Sequence, residues 1–315
     1  MVMLTAAMLR GGEYRLGEGW QPDERYPVYL GGYFSVYGGG ESGLESVAVD
    51  EFAVMAYGEF EKWGFMSELE MLTPYTRFFG DRDSEEVHTH LYVERLYGTW
   101  YIDDTDEATF GQFFSEIGFW NTYAINVLRA TTSDPHFIET MFPQMSTGVL
   151  LRHHGEEGSW NLTLQHNNAI DDIYNFRSDR HYAVSWFYDT WPGEWRLGAG
   201  WFRTRDDEKG SGYATAGYRY QKGAWCWLAE GAVRKKEGRG GAMYDLYVQG
   251  VRKLTAHQEV IVRTERYEDE SAVPKDTSLL VGYAYRPYRF MAFKAEAIFH
   301  DHRDTRWLVS YSMMF

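Results

Sequence analysis

Two groups of charged and polar residues in this chain could act on a small polar molecule, and neither is arranged to break a covalent bond. The first lies in one stretch, 116–145, and comprises Glu116, Asn121, Arg129, Asp134, His136 and Glu139. The second is spread through the later half of the chain as Arg219, Arg263, Glu265, Lys294 and Glu296. Acidic groups facing basic ones set up a transverse field that orients polar or ionic molecules without reacting with them. The competing reading is that the charges of 116–145 only solvate a surface loop.

Motifs for bond-making chemistry are missing. The chain has no G-x-S-x-G, no H-E-x-x-H and no phosphate-cradling glycine loop, so no enzyme is expected. His88 and His90, like His300 and His302, stand two apart, and His153 and His154 are adjacent, but none has the carboxylate or thiolate set of a metal centre nearby. Cys226 is the single cysteine, which rules out a disulfide framework and a C-x-x-C-H haem attachment. No cofactor is expected, and a redox group would have to belong to a partner. A net charge of -15 (31 basic against 46 acidic residues) argues against a nucleic-acid partner.

The elements that position these residues read as strands. No stretch approaches the roughly 20 continuous apolar residues of a membrane-spanning helix. Mean hydropathy is negative (-0.48), which strands alternating apolar and polar faces also produce. Aromatic-rich segments bounded by turn residues follow one another at 26–38, 45–62, 65–78, 87–101, 108–115, 146–154, 160–167 and 181–191. They continue at 195–205, 213–221, 225–235, 242–254, 259–268, 277–286, 291–302 and 306–315. An even number suits a closed antiparallel ring with both ends of the chain on one side.

Tight connections at 61–64, 103–107, 155–159, 192–194, 222–224, 255–258 and 287–290 alternate with longer or more charged ones. The latter are 80–86, 116–145, 169–180, 206–212 and 269–276, and they fall on the opposite side. No linker interrupts the series, so 26–315 is expected to be one domain. Residues 1–25 form an extension whose apolar start, 1–9, is either a remnant of a signal peptide or a plain lead-in.

Alternation is clearest late in the chain. Trp307, Val309, Tyr311, Met313 and Phe315 share one face of the last segment, and Leu308, Ser310, Ser312 and Met314 the other. In 225–235 the inward face carries Glu230 and Arg234, and in 291–302 it carries Lys294 and Glu296. A soluble β-sandwich gives the same alternation. The aromatics separate the two: 24 Tyr and 12 Trp are a heavy load, and Trp63, Trp160, Trp191, Trp195, Trp225 and Trp307 stand at strand ends, as in an interfacial girdle. The expected fold is all-β, a transmembrane antiparallel barrel of about sixteen strands.

The last segment, with alternating aromatics before Phe315, resembles the closing strand of outer-membrane barrels, where the terminal aromatic is read by the barrel-assembly machinery. A second likeness lies in 111–148. Gly111-Gln112-Phe113-Phe114, Ile117-Gly118-Phe119-Trp120-Asn121, Asp134-Pro135, Phe142-Pro143 and Thr147-Gly148 resemble Gram-negative porin-like families with a G-x-W-N element before a Pro-containing return. The long segment also has the ordinal place of the porin loop between strands five and six.

This resemblance implies a passive channel in the outer membrane, with periplasmic termini, surrounded by lipid and lipopolysaccharide and assembled as a homo-oligomer. It implies that loop residues Glu116, Asn121, Arg129, Asp134, His136 and Glu139 constrict the pore, and that Arg219, Arg263, Glu265, Lys294 and Glu296 line its wall. The acidic excess and Glu116, Asp134 and Glu139 imply cation preference. Acidic runs at Asp81/Asp83/Glu85/Glu86, Asp171/Asp172 and Asp206/Asp207/Glu208 would be outer-loop groups, either solvated or bridged to lipopolysaccharide by divalent cations. The alternative is a barrel acting as sheath for an inserted partner such as a multihaem cytochrome; a loop folded into the lumen would leave such a partner no room.

Overall fold

The computed structural model describes residues 19–315 apart from 24, 81–82, 123–124, 171–175 and 271–272. Most of the 1–25 extension, Asp81, Asp171 and Asp172 lie outside the described residues.

The strands are β1 (Val28–Glu41), β2 (Leu44–Glu59), β3 (Trp63–Gly80), β4 (Ser84–Val87), β5 (Tyr92–Tyr101), β6 (Asp106–Phe114), β7 (Met145–Gly155), β8 (Gly158–Gln165) and β9 (Ser178–Thr190). They continue with β10 (Gly193–Thr204), β11 (Gly210–Lys222), β12 (Trp225–Lys236), β13 (Met243–Lys253), β14 (Gln258–Glu268), β15 (Lys275–Tyr288), β16 (Met291–His300) and β17 (Arg306–Met314). Each pairs antiparallel with its neighbours, and β17 returns to β1 from Tyr33↔Met314 to Glu41↔Arg306. Sixteen strands close the ring, leaving the wall without an edge. Among the described residues the seventeenth, β4, pairs only with Tyr75 to Phe78 of β3. The segment expected over 87–101 therefore divides: Val87 closes the β3–β4 arm, His88 and His90 lie between strands, and the wall resumes at Tyr92.

At one end of the barrel the connections are 60–62, 102–105, 156–157, 191–192, 223–224, 254–257 and 289–290, all tight. The start of β1 and the end of β17 share this end. The opposite end carries 115–144, 166–177, 205–209, 237–242, 269–274 and 301–305. Its one two-residue turn, Ser42-Gly43, has φ of 52° and 78°, the doubly positive geometry that matches strand twist in a hairpin.

The two faces of the wall are inverted relative to a water-soluble protein. Inward positions hold buried Glu68, Glu70, Glu94, Glu230, Asp245, Arg263, Lys294 and Glu296. Outward positions expose Val54, Leu96, Phe110, Leu162, Val184, Val233, Leu246, Val281, Phe293 and Val309. Leaving a side chain of this size in water forfeits about 1.5–3 kcal/mol relative to burial, so such a belt is stable against hydrocarbon and not against water. The sandwich alternative fails on this point. Trp63, Trp160, Trp191, Trp195 and Trp225 all stand exposed beside tight turns, joined by Trp100 and Trp227. Trp307 does not belong with them: it follows 301–305, at the long-loop end.

Candidate functional site: the loop inside the barrel

Residues 115–144 leave the wall at the end of β6 and fold inward. The loop contains two 3-10 turns, Trp120–Thr122 and Asn126–Leu128, and a short helix α1 (His136–Thr140) that starts after Pro135. The G-x-W-N element forms its first fixed point. Gly118 has φ +70°, and a Cβ there would lie 2.4 Å from Glu230 Oε1, so both conformation and space require glycine. Directly after it, the amides of Phe119 and Trp120 donate to the two oxygens of Glu230 at 2.5 and 3.2 Å. Tyr247 donates its hydroxyl to the same carboxylate. Trp120 Nε1 donates to Asp134 Oδ1 at 3.2 Å, and Asn121 Nδ2 donates to the carbonyls of Ser115 (2.7 Å) and Gln144 (2.9 Å). Asn121 thus clasps both feet of the loop.

The middle of the loop is fixed by wall charges. Arg263 donates to the carbonyls of Ser133 (2.9 Å) and Asp134 (3.2 Å), and Lys294 Nζ to Asn126 Oδ1 (2.7 Å) and the carbonyl of Thr131 (3.1 Å). Glu296 accepts from the amide and hydroxyl of Ser133 at 3.1 and 2.7 Å. Arg286 donates to the carbonyls of Val127 and Arg129. Wall charges therefore satisfy loop backbone that would otherwise be buried without partners, a cost of about 1–3 kcal/mol per group.

Apolar packing reinforces this from two sides. Phe119, Phe137 and Phe142 bury against Phe202, Tyr213 and Tyr247 on β10, β11 and β13. Ile125 and Val127 bury against Tyr33, Ala53, Met66 and Met314 on β1, β2, β3 and β17. The loop thus reaches from one wall to the other.

Every loop residue singled out by sequence is ordered here. Glu116 pairs with Arg152 (2.8 Å), Arg129 with Asp134 (2.6 Å) and His136 with Asp269 (2.6 Å); the His136 ring stacks on Tyr267. Glu139 lies 3.7 Å from His136 and is largely exposed. Of the wall residues, Arg263, Lys294 and Glu296 hold the loop directly, and Glu265 accepts from the Phe137 amide at 3.4 Å. These four wall groups meet loop backbone, amide and hydroxyl groups, whereas Glu116 with Arg152 and Arg129 with Asp134 are contacts between opposite charges. Arg219 pairs with Glu194 and lies 5.2 Å from the Phe119 ring.

Two cavities lie beside the loop. One, about 190 Å³, is lined by Met66, Arg95, Tyr97, Glu116, Leu128 and Arg152. The other, about 350 Å³, is lined by Trp120, Arg129, Arg219, Lys253, Glu259 and Arg286 and reaches the 223–224 turn. Sequence reasoning did not single out Arg95, Arg152 or Arg286, and it placed Glu230 inward without seeing that it anchors the loop. Period-2 alternation was the available signal for Arg152 and Glu230; for Arg95 it is broken by a bulge.

No protein-family model matches the chain, and no curated protein matches it. Solved structures do. Salmonella typhi OmpF in complex with daunomycin superposes with a TM-score of 0.68 at 11% identity, covering 91% of this chain and 97% of that one. The trimer form of in-vitro folded OmpT of Vibrio cholerae gives 0.66 at 9% identity, with 91% and 99% covered. An anion-selective porin from Comamonas acidovorans gives 0.62 at 12%, with 91% and 99% covered. At these identities the likeness is one of architecture: the chain has the closed antiparallel barrel fold of outer-membrane porins.

Proposed function

We propose that the chain is an outer-membrane diffusion channel for small polar or ionic solutes, narrowed by the loop 115–144. The observation that carries this is the loop's position, fixed to inward-facing Glu230, Arg263, Lys294 and Glu296 within a barrel whose outer face is apolar. A barrel of this strand number is too wide for its own wall side chains to fill, so an inserted segment sets its width. Because the loop packs on opposite walls, solutes pass beside it through the regions of the two cavities, past Glu116, Arg152, Arg129 and Arg219.

In this reading the tight turns and chain ends face the periplasm, the long connections face outward, and lipid and lipopolysaccharide surround the belt. The closing strand β17, with Phe315, is what the assembly machinery engages. Homo-oligomerisation belongs to the same reading, in line with the trimer form recorded for the Vibrio protein. A sheath around a multihaem cytochrome is less well supported, since loop side chains occupy the middle of the lumen.

Single-channel recording of the purified full chain in a planar bilayer tests the proposal. Discrete, small conductance steps are expected. A folded barrel that inserts and never conducts would overturn it.

A further inference from the structure

Much of the outward belt is built of Leu, Val and Phe, but across β11 and β12 it sinks. Pairing sets Ala216 beside Gly231, Tyr218 beside Ala229 and Ala214 beside Val233, so three alanines and a glycine form a floor. Trp195 and Tyr218, their rings 4.6 Å apart, bound it on the β10 side. Tyr244 and Leu246 of β13 bound it on the other, and Leu246 leans in far enough that a Cβ on Gly231 would lie 3.2 Å from it. The result is a groove of about 620 Å³ on the outer face of the wall.

The groove runs toward two cations that nothing neutralises. On its turn side, Lys222, Trp225 and Arg252 form one row across β11, β12 and β13. All three are exposed, and alternation places them on the face away from the lumen. Arg252 lies over the Trp225 ring at 5.1 Å, and that ring stacks on Trp227 at 5.7 Å. Among the described residues neither Lys222 nor Arg252 has a carboxylate partner, and no other Lys or Arg faces outward from the turn end of a wall strand. From Trp225 to Val233, at the far end of the groove, β12 runs eight residues. At ~3.3 Å per residue and a tilt of about 40° this covers roughly 20 Å of depth, that of one leaflet with its headgroups.

We propose that the groove seats an acyl chain of an acidic glycerophospholipid whose headgroup phosphate lies between Lys222 and Arg252. Trp225 and Trp227 stand at headgroup level, where amphipathic rings are favoured. The Trp227 ring lies across Gly250 of β13, to one side of the alanine floor. An apolar slot accepts any acyl chain, so the two cations are what select a negatively charged lipid. A second copy of the chain would have to bring carboxylates to the Lys222–Arg252 row, whereas lipid phosphate already lies at that depth. With the tight turns at the periplasm, as proposed above, the lipid comes from the periplasmic leaflet; the site itself does not depend on conduction.

Native mass spectrometry of the folded full chain in detergent, titrated with dioleoyl phosphatidylglycerol or dioleoyl phosphatidylcholine, tests this. The wild type is expected to hold one phosphatidylglycerol about tenfold more tightly than phosphatidylcholine. Lys222→Gln combined with Arg252→Gln should bring the two lipids to equal affinity. Ala216→Leu, which fills the floor, should weaken both. All these positions face lipid, and heat-modifiable gel migration confirms that each variant is folded. Equal affinity for the two lipids in the wild type, a preference that survives the double variant, or unchanged binding in Ala216→Leu each overturns the proposal. So does a change of oligomer mass in Ala216→Leu without loss of lipid, which would put a second copy in the groove. Lipid retention is read without conductance, so its failure leaves the channel reading standing.

Discussion

Gly32 and Phe315 exchange two backbone hydrogen bonds, each 2.9 Å long, and the phenyl ring covers the point where a side chain on Gly32 would begin. A Cβ there would lie 2.7 Å from the ring and 2.4 Å from the carbonyl oxygen of Ala53. The seam of the barrel closes over this residue. Gly32→Ala should destabilise the folded barrel by about 1–3 kcal/mol through overpacking. Urea titration followed by gel migration checks it; an unchanged midpoint would show that the seam tolerates the extra carbon.

Glu230 receives three donors, the amides of Phe119 and Trp120 and the hydroxyl of Tyr247. Glu230→Gln puts an amide N–H₂ against at least one of them, at a cost of about 1–3 kcal/mol. Little of that loss falls on the ring, whose hydrogen bonds are untouched. Single-channel traces should therefore become noisier as the loop detaches transiently, while the folded fraction stays near that of the wild type. Quiet traces would mean that Glu230 is not the anchor that matters.

Removing about twenty residues between 123 and 142 should enlarge conductance and leave a folded barrel, because closure entropy changes slowly with loop length. It also strips the cover from Phe202, Tyr213 and Tyr247, so thermal stability should fall. Unchanged conductance in a folded deletion variant would place the current path away from the loop.

Arg152 bridges Glu107 and Glu116 at the edge of the smaller cavity. Arg152→Gln leaves both carboxylates unneutralised there. Reversal potentials across a potassium chloride gradient should then move toward cation selectivity, and a move toward anion selectivity would count against the assignment of this cavity to the path.

The barrel was legible because its signal is local. All sixteen wall strands overlap segments marked by alternation and turn residues, and Leu308, Ser310, Ser312 and Met314 are buried as the last segment implied. Local reading also sets its limits. A two-residue period cannot foresee a bulge, which is why Arg95 went unnoticed. Trp307 looked like the other terminal tryptophans because sequence marks strand ends without saying which end of the barrel each meets. The loop's length and its G-x-W-N wording were visible, but its anchorage was not: Glu230 meets Phe119 across 111 residues and Lys294 meets Asn126 across 168. No periodic pattern encodes such pairs.

Phe114 and Met145, the residues on either side of the loop, are themselves partners in the β6–β7 ladder. With Asn121 fastening Ser115 to Gln144, the chain leaves the wall and rejoins it at a single point. To the ring, the whole inward segment is equivalent to a hairpin turn. What fills the lumen is thus set by a segment that adds no residue to the β6–β7 ladder beyond the Phe114–Met145 pair, so lumen contents and wall register are written in separate stretches of chain.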